Sequence, residues 1–189
     1  MQPTIHGYFV AIGSNIAPEQ HLPIIITHLT RSFGRLWLSS ILHTTPHQMD
    51  SASPFLNAVC LLPTQQPQAT LKQQLVTLEQ QLGRNRNDPL KKIKDRAADL
   101  DILFYYPGHG PLPSRQIPSE PYIAPMFLEL AGYLGLLPPT PPPTTAAALT
   151  ANGCPIGTTP TELYYQDGRL SSLLSPYQRS NIAPESGMI

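Results

Sequence analysis

The chain is poor in charge. Only 13% of its 189 residues are Asp, Glu, Lys or Arg, and 12 basic residues cancel 12 acidic ones. That balance argues against a nucleic-acid coat and against a polybasic membrane anchor, both of which need a strong field of one sign. Long apolar runs are missing as well. No stretch approaches the ~18–20 residues of a membrane-spanning helix. The opening Met1-Gln2-Pro3-Thr4 lacks the basic-then-apolar pattern of a secretory signal. Two cysteines, Cys60 and Cys154, are too few for a disulfide scaffold and fit a reducing, cytoplasmic setting. No paired-cysteine spacing supplies a structural zinc site, and no G-x-x-x-x-G-K-[ST] run marks a P-loop.

Two things are present in excess. Prolines number 23, against a usual share of about 5%. Six of the 12 cationic residues crowd between Arg84 and Arg96, namely Arg84, Arg86, Lys91, Lys92, Lys94 and Arg96, with only Asp88 and Asp95 as acids among them. A hydrophobic fraction of 41% is enough for a core.

The pattern along the chain predicts alternating elements. Ile5–Ile12 reads as a buried strand that stops at Gly13-Ser14-Asn15. Pro18–Phe33 carries Leu22, Ile25, Ile26 and Leu29 at helical spacing. Leu36–Thr44 and Phe55–Leu62 read as two further strands, with a polar loop Thr45–Pro54 between them. Gln68–Leu82 has a stripe of Leu71, Leu75, Leu78 and Leu82 and then Gly83, the signature of a helix and its stop. Ala97–Tyr105 is a fourth strand, and a short helix is expected near Met126–Tyr133 after a proline-rich connection. The order βαββαβ predicts an α+β, ferredoxin-like antiparallel sheet covered by helices on one face. A domain boundary is expected after residue 137. Residues 138–189, opening on Pro138-Pro139-Thr140-Pro141-Pro142-Pro143, are expected to form a loosely packed proline-rich tail. Within it only Glu162–Leu174 is suited to dock, with a hairpin turn at Tyr165–Arg169.

Asp99-Leu100-Asp101 is the most informative triplet. On a strand, positions i and i+2 share a side about 6.6–7 Å apart, so both carboxylates project together. Such a pair needs a cation or a shared proton: two charges about 4 Å apart repel by about 4 kcal/mol at an effective dielectric near 20. Oxygen donors with room for water suit Mg²⁺, which takes one or two carboxylates plus substrate phosphates. On spacing alone a solvated strand face is the better explanation, because Asp-x-Asp is common and unspecific. The cationic run feeding this strand favours chemistry on phosphates, because Arg and Lys stabilise charge developing on a transferred phosphoryl group. Elsewhere the residues suggest packing: Cys60 and Trp37 read as strand and core residues, and the six histidines have no ligand spacing.

Over about residues 7–130 the sequence resembles the 6-hydroxymethyl-7,8-dihydropterin pyrophosphokinase family of folate biosynthesis. Five motifs carry the resemblance, in order. They are A-I-G-S-N (Ala11 to Asn15), the Ser39, Ser40, Thr44, Pro46 pattern, F-L-N-A (Phe55 to Ala58), L-E-x-x-x-G-R (Leu78, Glu79, Gly83, Arg84), and R-x-x-D-L-D-I (Arg96 to Ile102). The resemblance implies transfer of a pyrophosphoryl group from ATP to 6-hydroxymethyl-7,8-dihydropterin, giving the pterin diphosphate and AMP. It implies two Mg²⁺ ions on Asp99 and Asp101, and a catalytic set of Arg84, Arg96, Asp99 and Asp101. ATP contacts fall to Arg84, Arg86, Arg96, Ile102 and Arg115. Pterin contacts fall to Asn57, to Thr44 (or Thr45 in the alternative register), and to two aromatic walls, Phe55 and Phe127. A monomer acting on small molecules, with no nucleic-acid or membrane partner, is expected.

The sequence also departs from the family pattern. Ile93-Lys94-Asp95 stands where the family has a Trp- and Pro-bearing run before Arg96. Ser119 follows Pro118 where the family has His, and Pro125 falls at an Arg position. Each lost charge-assisted contact is worth about 1.5–3 kcal/mol; Lys91, Lys92, Lys94 and Arg115 are candidates to substitute. Two other readings therefore stay open: a repurposed relative that binds pterin without efficient ATP use, and an interaction module built on the sheet and the proline tail.

Overall fold

A computed structural model describes residues 5–46, 52–90 and 94–173. Along the chain run β1 (Gly7–Ser14), α1 (Pro18–Phe33), β2 (Arg35–Leu38), β3 (Leu42–Thr44), β4 (Phe55–Leu62), α2 (Gln68–Gln81), β5 (Asp99–Tyr106), α3 (Ala124–Tyr133), β6 (Leu149–Ala151), β7 (Cys154–Ile156), β8 (Thr161–Gln166) and β9 (Arg169–Leu173). The main sheet has the order β5-β1-β4-β2-β8-β9, with β3 also on β4, and β6-β7 form a separate pair. Every named strand pairing is antiparallel. The kernel β5-β1-β4-β2 is the expected α+β, ferredoxin-like arrangement.

The helices divide between the two faces. Leu22, Ile25, Ile26 and Leu29 of α1 and Leu71, Leu75 and Leu78 of α2 bury their stripes with Val10, Ile12, Leu36, Leu38 and Cys60. Each fully buried Leu or Ile contributes about 1.5–3 kcal/mol. Helix α3 lies on the opposite face, where Met126, Phe127 and Leu130 meet Phe9, Trp37, Val59 and Leu61. The expectation that the helices cover one face is corrected accordingly: α3 is apolar enough, through Met126, Phe127, Leu130 and Ala131, to seal the second face.

The expected single strand Leu36–Thr44 is broken at Ser39–Ile41. The cause is a change of hydrogen-bond partner. Ser40 gives its backbone N–H and its hydroxyl to Glu129 of α3, at 2.8 and 2.7 Å, while Ser39 Oγ accepts the Val59 N–H at 2.9 Å. Strand β5 carries a second irregularity. Its pairing with β1 shifts between Phe9↔Phe104 and Val10↔Ile102, leaving Leu103 as an extra residue. Leu100, Ile102 and Tyr105 consequently join the α1/α2 side, and Phe104 and Tyr106 the α3 side.

The expected loose tail is corrected for residues 146–173. Ala151, Cys154, Ile156, Leu163 and Leu170 are buried in the α1/α2 cluster, and β8 pairs with β2 from Arg35↔Tyr164 to Leu38↔Thr161. Strands β8 and β9 extend the main sheet across the boundary expected at residue 137, while the β6–β7 pair packs into the same core beside it. The guanidinium of Arg35 lies 5.5 Å from the Trp37 ring and 4.8 Å from the Tyr164 ring, and bonds Glu162 at 3.2 Å. The proline run lies close against α3: a Cβ on Gly132 would meet Pro138 O and Pro139 Cα at 3.1 Å. The expected hairpin turn is present at Asp167-Gly168, both with positive φ (52° and 77°), joining β8 to β9. Leu174, Lys91, Lys92, Ile93 and His47 lie outside the described residues.

Candidate functional site

The site begins with the register of three strands. Gly13 of β1 stands between Asp99 of β5 and Asn57 of β4, and Ala11 stands between Asp101 and Val59. Asp99 and Asp101 therefore emerge on one face, with only Ala11 and Gly13 beside them. Both carboxylates line a small cleft of about 60 Å³ with Gly13, Asn57, Tyr122, Ile123 and Met126. The shared side expected from their spacing is present.

Gly13 is required by close approach. A Cβ there would lie 2.1 Å from Asn57 Oδ1, so the carboxamide occupies the space that any larger residue would take. Asn57 is oriented at its other atom, where Nδ2 donates to Thr44 Oγ1 at 2.5 Å. The two residues to which the resemblance gives pterin contacts, Asn57 and Thr44, are thus hydrogen-bonded to each other. Ser14 and Asn15, the rest of the A-I-G-S-N motif, clasp the far end of the cationic loop. Asn15 Nδ2 donates to Asp95 at 2.7 Å, Asn15 Oδ1 accepts the Arg96 N–H at 2.6 Å, and the Asn15 N–H donates to Arg96 O at 2.9 Å.

Three arginines converge on two acids. Arg84 and Arg96 both bond the carboxylate of Asp99. Arg84 also donates to Glu79 at 2.8 Å and to Ala98 O at 3.2 Å, and Arg86 donates through Nε to Glu79 at 2.6 Å. Glu79 is fully buried, and its Oε1 takes the Leu100 N–H at 2.8 Å. A buried carboxylate is tolerable only when paired and hydrogen-bonded, and here two guanidinium groups and a backbone amide meet that need. Glu79 thereby fixes both arginines against the start of β5. Asp101 is far more exposed and meets Lys72 of α2 at 3.4 Å. A groove of about 170 Å³ beside the pair is lined by Arg84, Lys94, Asp95 and Arg96.

Four expected site residues are placed elsewhere. Phe127 is fully buried, its ring 5.1 Å from that of Phe9 and 5.7 Å from that of Phe104 in edge-on packing. It is core, because α3 turns this position into the aromatic layer rather than toward the cleft. Ile102 packs on the α1/α2 side of the sheet, since its position alternates with Asp101. Arg115 lies in a separate groove with Leu103, Phe104 and Ser119, beyond the bulge of β5. Phe55 is buried opposite Thr44 at the start of β4 and is not among the residues around the cleft. Pro125 sits exposed in the first turn of α3.

The aromatic residue that does face the aspartates is Tyr122, 36% exposed. Burial raises its phenol pKa, the charges of Glu120, Asp99 and Asp101 raise it further, and Arg96 opposes them. Sequence reasoning missed Tyr122 and Lys72, and named Glu79 only as part of the L-E-x-x-x-G-R motif without giving it a role. Glu79 had a signal, since it follows the buried Leu75 by four residues and so borders the apolar stripe of α2. Among the described residues no group of three or more His, Cys, Asp or Glu is arranged to hold a metal. Two oxygen-donor carboxylates on an open edge fit Mg²⁺ bound jointly with phosphate oxygens, rather than a closed protein cage. Another groove, about 670 Å³, runs between α1 and α2 and is lined mainly by Gln, Thr and Leu. It contains none of the charged residues described above, and among the described residues no helix is long and apolar enough to cross a membrane.

Comparison with known proteins gives a consistent result. Residues 9–132 match the family described as 7,8-dihydro-6-hydroxymethylpterin-pyrophosphokinase. Two proteins from separate strains of Porphyromonas gingivalis, each named 2-amino-4-hydroxy-6-hydroxymethyldihydropteridine pyrophosphokinase, are 29% identical over 141 residues, covering 70% of this chain and 96% of theirs.

Proposed function

The chain belongs to the 7,8-dihydro-6-hydroxymethylpterin-pyrophosphokinase family, and from that premise we propose that the cleft at the β5–β1–β4 end of the sheet is where it performs the family reaction. ATP and a hydroxymethylpterin are the small-molecule substrates. The hydroxymethyl oxygen attacks the β-phosphorus of ATP, the bond from that phosphorus to the α,β-bridging oxygen breaks, and AMP leaves while the pterin keeps the diphosphate. The observation that carries this reading is the convergence of Asp99, Asp101 and Asn57 on one cleft with Arg84 and Arg96 at its rim.

Asp99 and Asp101 are the residues that would hold Mg²⁺, in a two-ion site completed by triphosphate oxygens. Mg²⁺ supplies charge neutralisation on the phosphates and acidifies the attacking hydroxyl when bound. The protein's own part is positioning and electrostatics. Arg84 and Arg96 stabilise charge on the leaving phosphate oxygens, Glu79 holds Arg84 and Arg86 in place, and Asn57, steadied by Thr44, reads the polar edge of the pterin. Tyr122 takes the stacking role expected of Phe127, worth about 0.5–1.5 kcal/mol beyond burial. The cleft of about 60 Å³ is smaller than the ~300 Å³ and more of a filled ligand site, so admitting the ring requires the cleft to open. The chain acts as a cytoplasmic monomer.

The test is AMP release from ATP in the presence of Mg²⁺ and 6-hydroxymethyl-7,8-dihydropterin. AMP formation that depends on both is expected. Tight pterin binding with no AMP formed would instead support the repurposed-relative reading, which Ser119 and Pro125 motivate.

A further inference from the structure

Asp99 is occupied before any substrate arrives. Arg84 bonds one of its carboxylate oxygens and Arg96 the other, and Lys72 stands 3.4 Å from Asp101. Cationic side chains therefore hold positions that a divalent ion would otherwise neutralise. The two guanidinium groups are also shielded, with side chains only 12% and 19% exposed. A shielded guanidinium gives up a carboxylate readily only for another anion, and phosphate oxygens offer it equivalent paired hydrogen bonds. Arg96 can make that exchange without moving the chain, because Asn15 fixes its backbone N–H and C=O. Arg84, Lys94 and Arg96, together with Asp88 and Asp95, line an adjoining groove of about 170 Å³ that leaves the guanidinium groups room to turn.

We propose that Arg84 and Arg96 form an exchange lock on Asp99, so that a divalent cation and a nucleoside triphosphate bind together and each binds poorly alone. The arginines release the carboxylate when phosphate oxygens replace it, and the released carboxylate then accepts the cation. This inference rests on the reading of Asp99 and Asp101 as metal ligands.

The experiment titrates the full chain with Mn²⁺, followed by electron paramagnetic resonance, with and without α,β-methylene-ATP and corrected for the free metal–nucleotide complex. Mn²⁺ is expected to bind at least about tenfold more weakly alone than with the analogue, inside the usual range for coupled sites. Arg96→Ala is expected to tighten binding of Mn²⁺ alone while shrinking the enhancement that the analogue gives. Equal Mn²⁺ affinity with and without the analogue overturns the lock, as does an Arg96→Ala chain whose affinity for Mn²⁺ alone is unchanged or weaker. Should Arg96→Ala not fold, Arg96→Lys and the two titrations of the unaltered chain decide the matter. Asp101→Asn separates the two levels. If it binds Mn²⁺ with the analogue as the unaltered chain does, the metal reading itself fails; if it loses that binding while coupling is absent, only the lock fails.

Discussion

The face of the sheet beneath α3 has two ends of opposite character. At one end Asp99, Asp101, Asn57 and Tyr122 surround a small polar cleft. At the other, Phe9, Phe127 and Tyr106 are buried in an aromatic layer that the partly buried Phe104 borders. The same strands build both ends, and the difference follows from the taper of β1. Its positions on this face run Phe9, Ala11, Gly13, from largest to none. The cleft exists where β1 supplies no side chain to fill it, and the functional groups of the neighbouring strands take the vacated space. The closed end gives α3 its footing, and α3 in turn positions the roof of the open end.

Substitutions on each side can break or sharpen this contrast. At the closed end, Phe127→Ala is expected to lower unfolding free energy in urea by about 3–5 kcal/mol, the usual cost of emptying a buried aromatic site. Tyr122→Ala is expected to behave oppositely, weakening hydroxymethylpterin binding with little change in stability. A pterin-binding loss that tracks Phe127 and not Tyr122 would return Phe127 to the site. At the open end, Asp101→Asn is expected to slow AMP release roughly a thousandfold, about 4 kcal/mol of lost charge stabilisation. Since Asp101 is 62% exposed on its side chain, its melting temperature should barely change. A rate near that of the unaltered chain would place the chemistry elsewhere.

Restoring one atom to the taper is a subtler probe. Gly13→Ala places a Cβ against Asn57 Oδ1 and should displace the carboxamide from Thr44. Pterin affinity should fall by roughly tenfold, in line with one or two hydrogen bonds of about 1 kcal/mol each. Unchanged affinity would mean that Asn57 does not read the ring. The smallest effect concerns the roof. Burial raises the Glu129 carboxyl above its ordinary value of 4.5, with the Ser40 hydrogen bonds opposing. The native state thus holds this proton more tightly than the unfolded chain, and stability falls as pH rises from 4.5 through the native value. The melting-temperature difference between the unaltered chain and Glu129→Gln should therefore move in favour of Glu129→Gln between pH 4 and pH 7. A constant difference would show that Glu129 does not titrate in this window.

Local pattern carried most of the kernel. Phe55–Leu62 is a strand with the bounds that its composition suggested, α2 ends one residue short of the expected Leu82, and the Asp-x-Asp spacing put both carboxylates on one side. What local pattern could not carry was long-range exchange of partners. The break at Ser40 depends on Glu129, 89 residues away. The bulge at Leu103 breaks strict alternation, so Phe104 and Tyr106 share the aspartates' face although Leu103 intervenes. Fixed motif spacing assigned the aromatic wall to Phe127, yet in the turn before α3 it is Tyr122 that reaches the cleft. The β8–β9 hairpin was legible in outline, as a segment suited to dock with its turn inside Tyr165–Arg169, whereas its choice of β2 as partner and the β6–β7 pair before it were not, because both depend on contacts far apart in the chain.

The docking of β8 on β2 has a further consequence for how the molecule meets its neighbours. Without it, Leu36, Trp37 and Leu38 would form a sticky border with unmatched amides, the kind of template on which second copies assemble. The added ribbon moves that border outward to β9, a five-residue strand that presents Arg169, Ser171 and Ser172 to water. A stretch of chain remote from the reacting groups thereby exchanges the apolar Leu36-Trp37-Leu38 margin for a more polar one among the described residues.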